Sequence, residues 1–364
     1  MSISRHLFGL TLAATVAFAG FAASAEVNFA GKTVTFLIPF KEGGGTDTFA
    51  RILAPYFAKN LPGQPKVVVL NKPGGGSVRG ANQFQKAKPD GLTVMGVSTS
   101  TLTNSVFGGK KVKFKVSSWV PIMVNPMGSL FYGVTDQTGI TGKDIGKDIA
   151  TLRKNKSKLL MGAKNATSSE IRLAIAADVL GFFPGKIVYG LSASKWRKAT
   201  LRGELNLGYA NNSTWVKKLS SWEKKGAITA FMTLGILTLD GKVARDPVIK
   251  HLPSLAEAYE AANGKKPSGP QFEVFKSILA MSVNASKSLV LPPNTPKAIS
   301  DVYIAVAKKA FADAKFSKKL NKKLGGYKPT FGDDAATVLR AATEMTPENK
   351  KWMFNWIDQK MRKK

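Results

Sequence analysis

The sequence contains no cysteine, and one of its two histidines, His6, lies in the first 25 residues. Without cysteine there can be no disulfide framework, no thiol nucleophile and no thiolate metal site. His251 is then the sole histidine of the remaining chain, which excludes multi-histidine metal sites as well. A Ser-His-Asp triad would have to use His251, and Val248-Ile249-Lys250-His251-Leu252-Pro253 holds no obvious nucleophile beside it. His251 reads as a loop histidine, and the chain as a non-enzyme with no cofactor and no metal. Acidic residues are also few: 23 Asp and Glu stand against 54 Lys and Arg, a formal net charge of +31. Long apolar runs are missing too. Leu7 to Phe21 falls short of the ~20 residues a membrane span needs.

That run has a different meaning. Arg5 and His6 precede it and Ala23-Ser24-Ala25 follows it, the small-x-small pattern accepted by signal peptidase. Residues 1–25 therefore read as a targeting segment cleaved after Ala25, with an exported, periplasmic chain beginning at Glu26. Arg5 is the only charged Arg, Lys, Asp or Glu removed, so the mature chain keeps +30. A surplus of this size invites a nucleic-acid partner. The lysines are spread, however. Lys110, Lys111, Lys113 and Lys115 alternate with apolar residues along one possible strand. Lys308, Lys309, Lys318, Lys319, Lys322 and Lys323 decorate one helix whose apolar stripe includes Phe311, Phe316, Leu320 and Leu324. These read as solvated faces, and no nucleic-acid partner is expected.

The remaining stretch of about 340 residues suggests two domains of about 100–200 residues each. Thr33 to Pro39 is a short apolar strand, Gly43-Gly44-Gly45 a turn, and Phe49, Ile52, Leu53, Tyr56 and Phe57 one face of a helix. Thr46 or Asp47 is the natural N-cap. The unit repeats: strand Val67 to Leu70, turn Lys72 to Ser77, helix Val78 to Lys86, then strand Leu92 to Val97 ending in Ser98-Thr99-Ser100-Thr101. A second set has strands at Leu159 to Ala163, Lys186 to Gly190 and Leu205 to Ala210, with a helix from Glu170 to Leu180. Strand–loop–helix units of this kind make parallel sheets covered by helices. Helices follow at Thr295-Pro296 and Thr346-Pro347, the last a basic amphipathic one expected to pack on its own domain.

The polar, Gly-rich loops fall at the carboxyl ends of strands, the edge where open α/β sheets bind ligands. Helices starting there offer unpaired N–H groups to an anion. Gly43 to Gly45 and Gly74 to Gly76 let a ligand approach the backbone, and Thr46, Ser77, Ser98, Thr99, Thr167 and Ser168 add hydroxyls. Neither loop matches a nucleotide-binding fingerprint. Asp47 would repel an anion unless turned into capping, its expected role.

These loops also resemble a known family. Pro39-Phe40-Lys41-Glu42-Gly43-Gly44-Gly45-Thr46-Asp47, with Ala50-Arg51, resembles the PFxxGGxxD…AR opening of the Bug-type receptors of tripartite tricarboxylate transporters. Val67 to Gly76 resembles VVVENRPGAGG, Ala87 to Thr93 resembles AxPDGYT, Leu252 to Ala258 resembles VPTLAEA, and Pro292 to Pro296 resembles PxGTP. The resemblance implies an α/β periplasmic binding protein of two lobes (a Venus flytrap), each a mostly parallel sheet flanked by helices. Lobe 1 would be 26–124 with 241–364, and lobe 2 would be 125–240. It implies a monomer that captures a small carboxylate in the cleft and delivers it to large and small integral membrane subunits. A sensor input of the same fold is the alternative. By matching position the ligand-binding residues are Phe40, Gly44, Gly45, Thr46, Asp47, Gly75, Gly76, Ser77, Ser98, Thr99, Asn165, Thr167, Ser168, Asn211 and Asn212. Lys41, Lys72 and Lys164 flank these loops. The chain departs from the family where a GxxGxGSxxH-like run is usual: Gly162 to Ile171 lacks its later glycines and histidine and carries Lys164. Tyr209-Ala210-Asn211-Asn212 also lacks the usual aspartate.

Overall fold

The computed structural model describes residues 26–238 and 240–362. The targeting segment expected at 1–25, with its cleavage site after Ala25, lies outside the described residues.

Strand β1 (Thr33–Ile38) is the organising element of the main sheet. Its side chains alternate between faces, so Val34, Phe36 and Ile38 enter one buried cluster and Leu37 another. Strands β2 (Lys66–Asn71) and β3 (Thr93–Ser98) run parallel to β1 on its two sides. Each is reached by a helical crossover, which parallel pairing requires. These are α1 (Gly45–Asn60) and α2 (Val78–Phe84). Helix α1 buries Phe49, Leu53 and Phe57, and Phe57 meets Phe36 edge-on with centroids 5.5 Å apart. Each such ring contributes about 1.5–3 kcal/mol by leaving water.

After α3 (Thr99–Phe107), strand β4 (Val120–Asn125) carries the chain out of the main sheet. Strand β5 (Ser129–Val134) enters a second sheet almost immediately. The middle region holds α4 (Ile145–Lys154), β6 (Leu160–Gly162), α5 (Ile171–Val179), β7 (Lys186–Val188), α6 (Ala193–Leu201), β8 (Leu207–Asn211) and β9 (Ile228–Thr233). A short hairpin of β10 (Ile236–Leu237) and β11 (Val243–Ala244) follows. Helix α7 (Leu255–Asn263) packs on α4, and α8 (Pro270–Leu279) on α5. Strand β12 (Lys287–Leu291) then returns between β3 and β4. The chain ends with α9 (Lys297–Ala312), α10 (Ala314–Leu324), β13 (Thr330–Phe331), α11 (Gly332–Thr343) and α12 (Pro347–Trp356).

The main sheet has the order β13-β4-β12-β3-β1-β2, and its strands are mixed in direction where mostly parallel ones were expected. The reason is the double crossing. A strand that leaves (β4) and one that returns beside it (β12) must run opposite ways, and β12 is antiparallel to both neighbours. In the second sheet β5 is antiparallel to β8 and β9, while β6 and β7 pair in parallel as a separate two-stranded sheet.

Several local expectations need correction. Helix α1 begins at Gly45 with Gly44 at its cap, not with Thr46 or Asp47 there. Lys110 to Lys115 form no strand, because the amides of Lys113 and Lys115 donate to the side chains of Asn82 and Gln85. The lysine-rich helix is two helices, broken where Asp313 caps α10 by accepting from the Phe316 amide at 2.8 Å. Helix α9 starts at Lys297 because the Thr295 hydroxyl donates to the Pro292 carbonyl instead of capping. Thr346 does cap α12, which buries Met353 and Trp356 and ties Trp356 Nε1 to Asp178 at 2.7 Å. No helix among the described residues is long and apolar enough to cross a membrane.

Candidate ligand-binding cleft

The carboxyl ends of β1 and β3 and the first residue of the reversed strand β12 share one edge of the main sheet, since Lys287 pairs with Ser98. At that edge α1 starts with no side chain capping it, leaving its first N–H groups free for a ligand. Asp47, in its first turn, points back. One carboxylate oxygen accepts from the Gly43 amide at 2.9 Å; the other accepts from Arg51 Nε at 2.9 Å and Asn71 Nδ2 at 3.0 Å. Burial alone would raise the pKa of this carboxyl, but Arg51, the Gly43 amide and Asn71 outweigh it and hold it below the usual range. Asp47 thus stays ionised, shapes the loop, and keeps its charge out of the cleft.

The second loop is strained. Gly74, Gly75 and Gly76 all have positive φ, and so does Ser77 at +113°, a region non-glycine residues avoid. Gly76 also sits where a Cβ would come within 2.8 Å of Asn165 Nδ2 from the facing wall. The two sides touch directly elsewhere. Asn165 Nδ2 donates to the Gly75 carbonyl at 3.4 Å, the Ser169 amide to Ser100 Oγ at 3.0 Å, and Thr167 Oγ1 to Asn104 Oδ1 at 2.8 Å.

Between these walls lies a cavity of about 790 Å³. Phe40, Gly44, Gly45, Thr46, Gly75, Gly76, Ser77, Ser98, Thr99, Asn165 and Asn211 all line it. Asp47, Thr167, Ser168 and Asn212 do not. Asp47 is engaged as described, Thr167 bridges to Asn104, Ser168 bonds Glu170 at 2.5 Å, and Asn212 is buried against Gly325. Lys41 and Lys164 line the cavity; Lys72 lies outside it.

Its electrostatics come largely from residues that no motif marked. Lys164, Arg172, Arg197 and Lys287 project from the walls, and the exposed Lys41, Lys217, Lys218, Lys322 and Lys323 surround the opening; Glu42 is the one carboxylate in the lining. Glu170, behind the wall, is fully buried and pairs with Lys164. Arg172 is buried and bonds only neutral oxygens, those of Ser169, Ser129 and Ser282, while its guanidinium lies 4.9 Å from the centre of the Tyr209 ring. Burial pushes the Tyr132 hydroxyl up to about 12 and that of Tyr209 up as well, so both remain donors. Three buried polar atoms of the lining have no partner among the described residues: Ser77 Oγ, Thr99 Oγ1 and Trp196 Nε1. Unpaired buried donors are costly, and at a cavity wall they are what a ligand's oxygens would satisfy. Two signals for the cations were available: Arg172 interrupts an otherwise apolar helix, and Lys287 opens the buried run Ser288 to Leu291.

Comparison with known proteins places this geometry. A UPF0065 protein of Bordetella pertussis is 28% identical over 170 residues, covering 46% of this chain and 51% of its own, so the match spans about half the length of that relative. Among solved structures, the periplasmic binding protein BugD superposes with a TM-score of 0.65 at 20% identity, over 90% of this chain and 97% of its own. MatC from Rhodopseudomonas palustris, solved with bound malate, gives 0.64 at 19% identity, over 89% and 98%. The fold is therefore that of a periplasmic binding protein. The family model of the tripartite tricarboxylate transporter family receptor matches residues 49–208, a stretch that holds the strained glycine loop and most of the facing wall. Over that stretch the chain is similar to the receptors of this family.

Proposed function

We propose that the chain is an exported solute receptor that captures a small carboxylate in this cleft and delivers it to the integral membrane subunits of a tripartite tricarboxylate-type transporter. The observation that carries the reading is the charge of the lining: nine cationic side chains against Glu42 alone, around the bare amino end of α1 and three unpaired buried donors. Amides at a helix start and hydroxyl donors suit a carboxylate, and wall cations strengthen the attraction where water is excluded. The malate held by MatC is in keeping with this class of ligand. We assign two lobes, joined where β4 passes to β5 and where the chain returns at β12. The seating of α7 on α4 and of α8 on α5 supports placing the return just before β12 instead of at 240.

The test is a melting screen of the chain from Glu26 onward against mono-, di- and tricarboxylates, with ATP, NAD and sugars as controls. A cognate acid at 100 times its dissociation constant should add about 2.7 kcal/mol of stability. Stabilisation by a neutral sugar, with no response to any carboxylate, would overturn the assignment.

A further inference from the structure

We propose that Lys287 sets the charge preference of the cleft, favouring a dianionic solute over a monoanion of the same shape. The proposal rests on the carboxylate reading above and adds a residue and a selection rule to it.

Lys287 is the first residue of β12, paired with Ser98 on one side and Asn125 on the other. It is 5% exposed, and its ammonium makes one hydrogen bond, to the Ser286 carbonyl at 3.0 Å. An ammonium has three donors, so two remain free at the cavity wall. Its Cε lies 3.5 Å from where a Cβ on Gly45 would stand, over the first turn of α1. That helix end is itself positive in partial charge. A lysine placed there alone is unfavourable; a lysine with an anion between it and the helix start is not.

The surroundings supply no counter-charge. Ser98 and Asn125 are neutral, and so is Asn211, which reaches Gly45 from β8. Asp47 of α1 is committed to Gly43, Arg51 and Asn71. From the facing wall come Arg172 on α5 and Lys164 before it, both cations; Glu170, the one carboxylate there, is taken by Lys164. Tyr209 remains a neutral phenol. Among the described residues no carboxylate lies within 4.0 Å of Lys287 or Arg172. Burial first, then Arg172 and Lys164, push the Lys287 ammonium down to about 7. The neutral donors of the cleft (α1 amides, Ser77, Thr99) can serve one carboxylate. A second negative charge is what stabilises a fully protonated Lys287 beside Arg172, and its arrival draws a proton from solvent onto that amine.

The experiment is calorimetry with malate, succinate and adipate, each against its monoamide, which keeps the shape and removes one charge. The native protein should prefer the diacid, and Lys287→Met should weaken it by about ten- to a hundredfold while moving the monoamide less than about threefold. Lys287→Arg, which keeps the charge without titrating, should retain the preference. Titration in two buffers of different ionisation heat should show more proton uptake for diacid than monoamide near pH 7 in the native protein, and equal uptake in Lys287→Arg. Equal loss for both solutes in Lys287→Met would make the residue structural and overturn the proposal, as would an unchanged ratio. Should the Met variant fail to fold, equal proton uptake for the two solutes by the native protein overturns it instead. Binding of no acid at all sinks the carboxylate reading itself, a separate outcome.

Discussion

Glu170→Gln removes the carboxylate that pairs with Lys164 in the cleft wall. Glu170 is fully buried, accepts from Ser168 Oγ at 2.5 Å, Ser169 Oγ at 2.9 Å and Tyr209 at 3.2 Å, and pairs with Lys164. Burial by itself would raise its pKa, but Lys164 and the two serine donors prevail and bring it from 4.5 down to about 2. At ~1.4 kcal/mol per unit, a depression of that size is worth about 3 kcal/mol of folding stability. Because the folded-state pKa is the lower one, this contribution is complete above the unfolded value of 4.5 and is lost as pH falls towards 2. More than half should be gone at pH 3. The glutamine variant keeps the shape but strands Lys164 beside the already unpaired Arg172 and Lys287, and breaking a buried pair commonly costs about 3–5 kcal/mol. Urea unfolding should therefore show the variant about 3 kcal/mol less stable at pH 7, with the gap narrowing to about 1 kcal/mol at pH 3. Adding Lys164→Met to the variant should recover part of the loss, since a stranded cation goes with it. A gap below about 1 kcal/mol at pH 7 would refute the reasoning, because surface pairs already reach that value. So would a gap that stays constant as pH falls.

Thr99→Val deletes an unpaired buried hydroxyl while keeping the side chain's shape. It should stabilise the ligand-free protein by about 1 kcal/mol and weaken carboxylate binding by about 1.5–3 kcal/mol, read by melting and calorimetry; lost stability with unchanged affinity would refute it. The exposed lysines at the opening should act on capture and not on retention. Stopped-flow binding should show an on-rate that falls with salt while the off-rate barely moves, and Lys322→Glu with Lys323→Glu should flatten that dependence. An on-rate indifferent to salt would leave these lysines without a role in capture.

The parts of the fold that announce themselves in the sequence are those with a local period and punctuation. Helix α1 carries its buried residues at helical spacing, and β1 to β3 are short apolar runs bounded by Gly, Pro and Asp. Strands β4, β5 and β12 went unmarked because they are buried on both faces, so nothing in them alternates, and an apolar run of that length fits helix or strand equally. With them went the antiparallel return that makes the sheets mixed. The loops at the strand ends were legible for a related reason: glycines with positive φ and hydroxyl residues at helix starts leave a trace in composition. Arg172 and Lys287 leave only a break in an apolar helix and the start of an apolar run, and Arg197 leaves nothing. Each looks like any surface cation among 54, and only the packing around it makes it a cleft residue.

That contrast bears on how the positive charge is distributed. Screening at 0.15 M salt limits a surface lysine's reach to about 8 Å, so most of the surplus acts on nothing in the cleft. What acts there is a small group whose members answer one another. Lys164 stands in a loop where the family's glycines and histidine are missing, and a cation buried there would be unstable alone. Six residues later, Glu170 supplies its counter-charge from a fully buried position, and Ser168 and Ser169 donate to the same carboxylate. The departure from the family pattern is thus compensated within its own loop and adds little net charge. Arg172 and Lys287 have no such partner. Uncompensated charge thus sits on residues that no motif marks, and two of them, Arg172 and Lys287, face the cavity from opposite walls, where a captured anion can lie between them.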